Sequence, residues 1–108
     1  MGQNPAPAFR TVFETYFDSP AAPFQGLALG SSGDTCTELL WHLENGMLPD
    51  ELRPDAWIIM IGTNDLGRWD CSKRSTLAGI LHVAQMLHSQ RPKTPIIIHG
   101  LLPRSDVF

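Results

Sequence analysis

The sequence predicts an α/β fold in which helices alternate with the strands of a parallel sheet. Two short apolar runs, Trp57–Ile61 and Ile96–Ile98, are rich in β-branched residues and bounded by turn residues, which is typical of strands buried on both faces. A third short run, Gly26–Gly30, also reads as a strand. The order helix, strand, helix, strand, helix, strand therefore predicts two consecutive right-handed βαβ units, with three strands and three helices.

Length and composition are those of one small globular domain. The chain has 108 residues, of which 43% are hydrophobic and 18% charged. A net charge of -3, with scattered lysines and arginines, argues against a nucleic-acid surface. No apolar run approaches the roughly 20 residues that span a bilayer, and the N-terminus lacks the pattern of a secretion signal.

The first helix is predicted from the spacing of its apolar residues. They recur at the interval of one helical face: Phe9, Val12, Phe13, Tyr16 and Phe17. Such a stripe usually packs into a core, so we expect these side chains to be buried. Residues 1–8 contain two prolines and no periodicity, which predicts a loose N-terminus before a domain over residues 9–108.

The second helix has a strong start signal, because Thr35 and Glu38 have the spacing of a capping box and Asp34 adds negative charge at the helix N-terminus. Asn45-Gly46 ends this helix. Its predicted buried residues are Cys36, Leu39, Leu40 and Leu43.

The third helix is predicted from about Ser72 to Gln90, after a loop over Leu66–Ser72. Its predicted buried face consists of Leu77, Ile80, Leu81, Ala84 and Leu87.

Two hydrogen-bond donors are predicted to lie at the edge of the sheet where the parallel strands end. Gly33 lies between a strand and a helix start, where its N–H can face a ligand, and Asn64 follows the strand at Trp57 with a carboxamide that donates hydrogen bonds. Two such donors can form an oxyanion hole for acyl transfer. The simpler alternative, in which Gly33 permits the turn and Asn64 caps it, stays open on the local pattern.

Four segments together resemble one family: Gly30–Thr35, Leu40–Gly46, Gly62–Asn64 and Gly100–Arg104. They are similar to the SGNH (GDSL-type) hydrolases, and within that family to the platelet-activating-factor acetylhydrolase branch. The resemblance extends over most of the chain from about Phe9.

This resemblance implies a three-layer flavodoxin-like sheet and hydrolysis of a small-molecule ester without a metal or another cofactor. It also implies that Gly33 and Asn64 are two of the family's oxyanion donors.

The catalytic residues of that family are missing from these 108 residues. The nucleophile is a Ser in a Gly-Asp-Ser motif and the base a His in an Asp-x-x-His motif, and neither motif occurs. Ser19 precedes the strand at Gly26 too closely for a parallel crossover, and Ser31 and Ser32 have no paired base. The resemblance therefore implies an incomplete portion of the fold, without its first strand and its C-terminal part, that is an esterase by descent and inactive as this chain.

Other residues keep two interpretations. The Gly30–Thr35 turn could instead bind a phosphate or another anion in a non-catalytic module, although no nucleotide-binding motif is present. Arg68 and Trp69 could line a substrate cleft, or be a solvated charge and a packed aromatic. Asp65 could orient a loop or hold a hydrogen bond in the site. Among the histidines, His99 is nearest the end of a strand, and at that position its side chain could point to either face of the sheet.

Two further expectations concern environment and association. Cys36 and Cys71 lack metal-site and disulfide spacing, which favours free thiols in a reducing compartment such as the cytoplasm. In this family the first strand lies between the strands at Leu27 and Trp57. Its loss would leave apolar edges and faces uncovered, which predicts self-association.

Overall fold

Residues 7–103 are described in the computed structural model, and they divide into two units between Ser32 and Gly33. The elements within that range are, in chain order, α1 (Pro7–Phe17), α2 (Cys36–Glu44), β1 (Trp57–Ile59), α3 (Thr63–Gly67), α4 (Lys73–Gln90) and β2 (Ile96–Ile98).

The first unit contains α1, which confirms the predicted helix. The Phe17 ring stacks on Phe13 at 5.4 Å and on Phe24 at 6.3 Å between centroids. The predicted burial is wrong for Val12 and Tyr16, which are 55% and 53% exposed. The 3.6-residue period predicts the helix and its stripe, but it does not provide a surface to cover that stripe.

The expected loose segment 1–8 falls only partly within the described range. Residues 1–6 lie outside it, and so does the predicted burial of the Phe9 side chain. Pro7 and Ala8 form the first turn of α1, where a proline is tolerated because its missing N–H would have no helical partner.

The predicted strand Gly26–Gly30 does not form. Leu27 and Leu29 are 68% and 41% exposed, and the Gly26 N–H donates to the Phe17 carbonyl at 2.8 Å. An extended segment becomes a strand only when a neighbour pairs with its N–H and C=O groups, and β1 and β2 pair with each other. The described sheet therefore has two strands where three were predicted.

The two strands are parallel, as predicted, with Trp57, Ile58 and Ile59 opposite Ile96, Ile97 and Ile98. The His99 N–H continues this ladder by donating to the Ile59 carbonyl at 2.8 Å. A two-strand parallel sheet with helices places the described chain in the α/β class.

Burial of both sheet faces was predicted, and this is wrong. Ile59 is 6% exposed, whereas Ile58 and Ile97 are 69% and 53% exposed. Successive side chains of a strand point to opposite faces, so one face joins the core and the other is open. The buried core residues are Cys36, Leu43, Leu48, Ile59, Val83 and Leu87.

Helix α2 confirms its predicted signals. Thr35 is the N-cap, and the capping box with Glu38 is complete. Asn45 is the C-cap, and Gly46 follows with a φ of +99°, which a glycine adopts at little cost. Cys36 and Leu43 are buried on the predicted face, where α2 packs on α4.

Helix α4 confirms the predicted range, with Ser72 as its N-cap. Its predicted inward face is confirmed for Leu87, which is buried, and for Ile80 and Ala84, which pack against the core, but it is wrong for Leu77 and Leu81. Thr76, Val83 and Leu87 are buried, whereas Leu77 and Leu81 are 55% and 52% exposed. The helix carries two adjacent apolar stripes, and the tertiary contact decides which is covered. That contact is tight, because a Cβ on Gly79 would lie 2.8 Å from the Cys36 Cβ.

Candidate functional site

Helix α3 positions Asn64 directly after the first strand of the sheet. A turn and a loop were predicted here, but Thr63–Gly67 is helical, so Asn64 lies in a helical turn. Gly62 starts that turn with a φ of +117°, and a Cβ there would lie 3.0 Å from the Thr76 Cγ2. Only glycine fits this turn without strain.

Asn64 and Gly33 are brought to the same place. The Asn64 carboxamide Nδ2 donates to the Asp34 carbonyl oxygen at 3.2 Å. Asp34 is the residue directly after Gly33, and the φ of Gly33 is +85°. A carboxamide nitrogen carries two N–H groups, so this bond leaves one for another acceptor.

Asp65 joins α3 to the start of α2. Its carboxylate is 8% exposed and accepts from the Cys36 N–H, with N···O distances of 3.1 and 3.3 Å. Its backbone carbonyl accepts from the Cys71 N–H at 2.9 Å. A carboxylate at a helix N-terminus is favoured by the helix dipole, so Asp65 holds the Gly33–Asp34 segment against Asn64.

A carboxylate–histidine pair lies beside these residues and was missed by the sequence reasoning. Asp34 is 8% exposed, and its Oδ2 is 3.5 Å from the His42 Nε2. Within residues 7–103 this oxygen accepts no hydrogen bond. A search for an acid three residues before each histidine could not find the pair. The usable signal was that His42 lies about two helical turns beyond Asp34.

Arg68 reaches the same site from the end of α3. Its Nη1 lies 3.2 Å from the position that a Cβ on Gly33 would take. Its Cζ is 6.0 Å from the centroid of the Trp69 ring, and Trp69 is 61% exposed. Arg68 is exposed, as expected of a solvated charge, and its position in a substrate cleft stays a prediction.

The two cysteines are free thiols, Cys36 buried and Cys71 half-buried. Burial raises the pKa of the Cys36 thiol from 9.0 to about 12, and the neighbouring Asp65 carboxylate adds to the shift. A thiol with so high a pKa carries almost no thiolate near neutral pH and is a poor nucleophile.

His99 is exposed, and its Nδ1 contacts the carbonyl oxygen of the next residue, Gly100, just after β2. Near it, Met60, Thr63, Leu101, Leu102 and Pro103 line an open apolar groove. Arg104, the last residue of the fourth family segment, lies outside the described residues.

Residues 7–103 contain neither a candidate metal centre nor a helix that could cross a membrane. No group of three or more His, Cys, Asp or Glu side chains there is arranged to hold a metal ion. In the same range, every helix is too short or too polar to cross a membrane.

Comparisons with known proteins agree with the sequence resemblance. The sequence profile of the GDSL-like lipase/acylhydrolase family matches residues 2–107. The platelet-activating factor acetylhydrolase IB subunits alpha1 of Bos taurus and alpha2 of Homo sapiens are each 32% identical over 85 residues. The alpha2 subunit of Gallus gallus is 31% identical over the same length.

Each of these matches covers 79% of this chain but 35% of the relative, so the chain spans about a third of the length of the curated relatives. No solved structure matches the chain. The extent of the profile match shows that the chain belongs to the GDSL-like lipase/acylhydrolase family of ester hydrolases.

Proposed function

We propose that this chain carries the oxyanion-donor part of an SGNH-type ester-hydrolase site. In this role the Gly33 N–H and the Asn64 carboxamide donate to the carbonyl oxygen of an ester as it becomes negatively charged. The observation that carries the proposal is the 3.2 Å bond from Asn64 to the Asp34 carbonyl, which holds the carboxamide beside the Gly33 peptide.

The substrate class follows from the family and from the names of the relatives. Those names describe acetylhydrolases, so we propose an acetyl ester or another short carboxylic ester as the substrate. The proposal includes the family's three-layer flavodoxin-like arrangement for the longer protein, of which β1 and β2 would be neighbouring strands.

The 108-residue chain is proposed to be inactive by itself. An oxyanion donor contributes about 3 kcal/mol to the transition state only when a nucleophile attacks the ester. The printed sequence has no Gly-Asp-Ser and no Asp-x-x-His, so the donors have no activated serine to assist.

The test compares this chain with the longer protein encoded by its genomic surroundings. We expect the 108-residue chain to hydrolyse 4-nitrophenyl acetate no faster than buffer does. A longer chain that includes both motifs should hydrolyse it. There, Asn64→Ala should lower kcat by about 10²- to 10³-fold, because one oxyanion donor is lost.

Asn45→Ala is the matched control. Among the described residues the Asn45 side chain bonds only to the Trp41 carbonyl at the end of α2, so this substitution should leave kcat unchanged. Two results would contradict the proposal. Turnover by the 108-residue chain that Asn64→Ala abolishes would disprove its inactivity, and an unaltered kcat for this variant in the longer chain would disprove the oxyanion role.

The non-catalytic alternative, an anion bound at the Gly30–Thr35 turn, has less support. The Thr35 N–H donates to the Glu38 carboxylate at 3.1 Å, and the Cys36 N–H donates to Asp65. These first amides of α2 already hold carboxylates of the chain, so they are not available to a phosphate. Flanking genomic sequence without the two catalytic motifs would favour this alternative.

A further inference from the structure

We propose that His42 acts through the buried Asp34 carboxylate as a positioning residue for the two oxyanion donors, and that it does so as the imidazolium cation. This inference rests on the proposed function, because it concerns what holds the Gly33 N–H and the Asn64 carboxamide in place. It is carried by a buried carboxylate oxygen without a hydrogen bond, by the imidazole that faces it and by the peptide that connects both to the donors.

The Asp34 carboxylate is buried without a full set of partners. The residue is 8% exposed, and its Oδ2 accepts no hydrogen bond within residues 7–103. A buried charge is costly unless it is paired or hydrogen-bonded. Asp34 directly precedes the N-cap of α2, so the helix dipole favours its negative charge, but the dipole gives Oδ2 no donor. This oxygen therefore lacks a charged donor.

His42 is the side chain placed to supply that donor. Its Nε2 lies 3.5 Å from the Asp34 Oδ2, and among the described residues this is the one ion-pair contact. The His42 side chain is 34% exposed, so it can exchange protons with water. The Trp41 ring lies 5.4 Å from the imidazole, with 80° between the ring planes, and this packing limits the rotation of the imidazole.

Asp34 connects this contact to the oxyanion donors. Its carboxylate faces His42, and its carbonyl accepts from the Asn64 Nδ2 at 3.2 Å. Its own N–H belongs to the peptide bond with Gly33. A single methylene joins an aspartate carboxylate to the backbone, so the positions of Oδ2 and of the peptide are closely coupled. A change at the contact with His42 therefore reaches both donors.

Protonation of His42 sets the strength of the contact. The imidazolium gives Oδ2 a charged donor, and a charge-assisted hydrogen bond is about twice as strong as a neutral one. The neutral imidazole gives at best a neutral donor, and in its other tautomer Nε2 is an acceptor that repels the carboxylate. Histidine ordinarily changes charge between about pH 5 and 8, so the donors should be held most firmly at the acid end of this range.

The other titratable groups around the contact do not replace His42. Glu38, one turn earlier on α2, accepts from the N-cap residue, and Asp65 on α3 accepts from the first amide of α2. Arg68, at the end of α3, is exposed and forms no ion pair within the described residues. The Cys36 thiol, with its pKa raised to about 12, stays neutral over this range. The remaining ionisable side chains of α2 and α4 are exposed: Glu44, Lys73, Arg74, His82 and His88.

The test is an NMR titration of the 108-residue chain between about pH 5 and 8. The probes are the ¹⁵N–¹H signals of the Gly33 amide and the Asn64 carboxamide, and the His42 ring signals measure its protonation. We expect both probes to shift with one midpoint, the same as that of the His42 ring. The spectra also report whether each variant is folded.

His42→Gln should abolish the shift, because the titrating group is lost. His42→Arg should also abolish it but keep both probes near their acid-end positions, because arginine stays charged throughout this range. Asp34→Asn should abolish it although the His42 ring still titrates, because the carboxylate that transmits the effect is lost. His82→Gln, at an exposed histidine of α4, is the matched control and should titrate as the parent chain does.

A probe shift that survives His42→Gln or Asp34→Asn would overturn the inference, and so would a parent chain whose probes do not follow the His42 ring. His42→Arg probes at the alkaline-end positions would overturn it as well. Failure of the proposed function has a different result. In that case Asn64→Ala leaves the kcat of the longer chain unaltered, while the 108-residue chain still shows the His42-dependent titration.

Discussion

Replacement of Asp65 tests the connection that holds the candidate site together. The Asp65 carboxylate is 8% exposed and is the acceptor for the Cys36 N–H at the start of α2. In Asp65→Ala this buried N–H loses its partner. The segment from Gly33 to Cys36 is then no longer tied to α3, and the position of the Asn64 carboxamide is no longer supported.

The size of the effect follows from these contacts. A hydrogen bond to a charged group contributes about 1.5–3 kcal/mol, and a carboxylate near a helix N-terminus adds about 0.3–1 kcal/mol. Returning the carboxylate to water offsets part of this, because a buried charge is costly to desolvate. We therefore expect Asp65→Ala to lower the free energy of unfolding by about 2 kcal/mol, a large part of a typical 5–15 kcal/mol. Asp65→Asn keeps an acceptor without the charge and should lose about 1 kcal/mol.

The assay is urea unfolding followed by circular dichroism, with the free energy taken from the midpoint and slope. Asp55→Ala is the control, since Asp55 is an exposed aspartate before β1 and its replacement should change stability by less than about 0.5 kcal/mol. If Asp65→Ala and Asp55→Ala had the same free energy of unfolding, the reasoning about the Cys36 N–H would be wrong.

Three further predictions concern pH, backbone strain and association. Because the pKa of Cys36 is raised from 9.0 to about 12, its contribution to stability is complete below pH 9.0 and is lost as the pH rises toward 12. The slope should be at most about 1.4 kcal/mol per pH unit, and Cys36→Ala should remove it from the urea midpoints. Gly62→Ala should lower stability by about 1–3 kcal/mol in a thermal melt, because its φ is +117° and the new Cβ would meet Thr76. Gly30→Ala, with open space around its Cβ position, should change it little, and equal melting temperatures would refute the strain. The chain should self-associate through its uncovered sheet, so Ile58→Lys, at a residue that is 69% exposed, should lower the mass measured by sedimentation without loss of fold. A monomeric parent chain would disprove this last prediction.

Local signals predicted the elements whose stability is local. The capping box of Thr35 and Glu38 marked the start of α2, and the predicted range of the third helix began at about Ser72, the N-cap of α4. These interactions are completed within a few residues, so the sequence contains both partners. The parallel pairing of β1 and β2 was also predictable, because a crossover helix of the length of α4 joins them.

The wrong predictions about burial and strand formation depended on a surface supplied by another part of the molecule. The segment Gly26–Gly30 needed a neighbouring strand, and Ile58 and Ile97 needed a layer on the second face of the sheet. The choice between the two apolar stripes of α4 depended on the tight contact of Gly79 with Cys36. Periodicity describes which residues share a face, and it carries no information about what lies opposite.

For the candidate site, the sequence by itself determined the family, the chemical types of Gly33 and Asn64, and the lack of both catalytic motifs from these 108 residues. Only the tertiary structure decided that Asn64 bonds to the Asp34 carbonyl, that Asp65 holds α2, and that Arg68 lies against Gly33. These contacts join residues about 30 or more positions apart in the chain, and they exist because β1 and α3 end beside the start of α2. Contacts over such separations are fixed by packing of the core, which no short-range sequence pattern encodes.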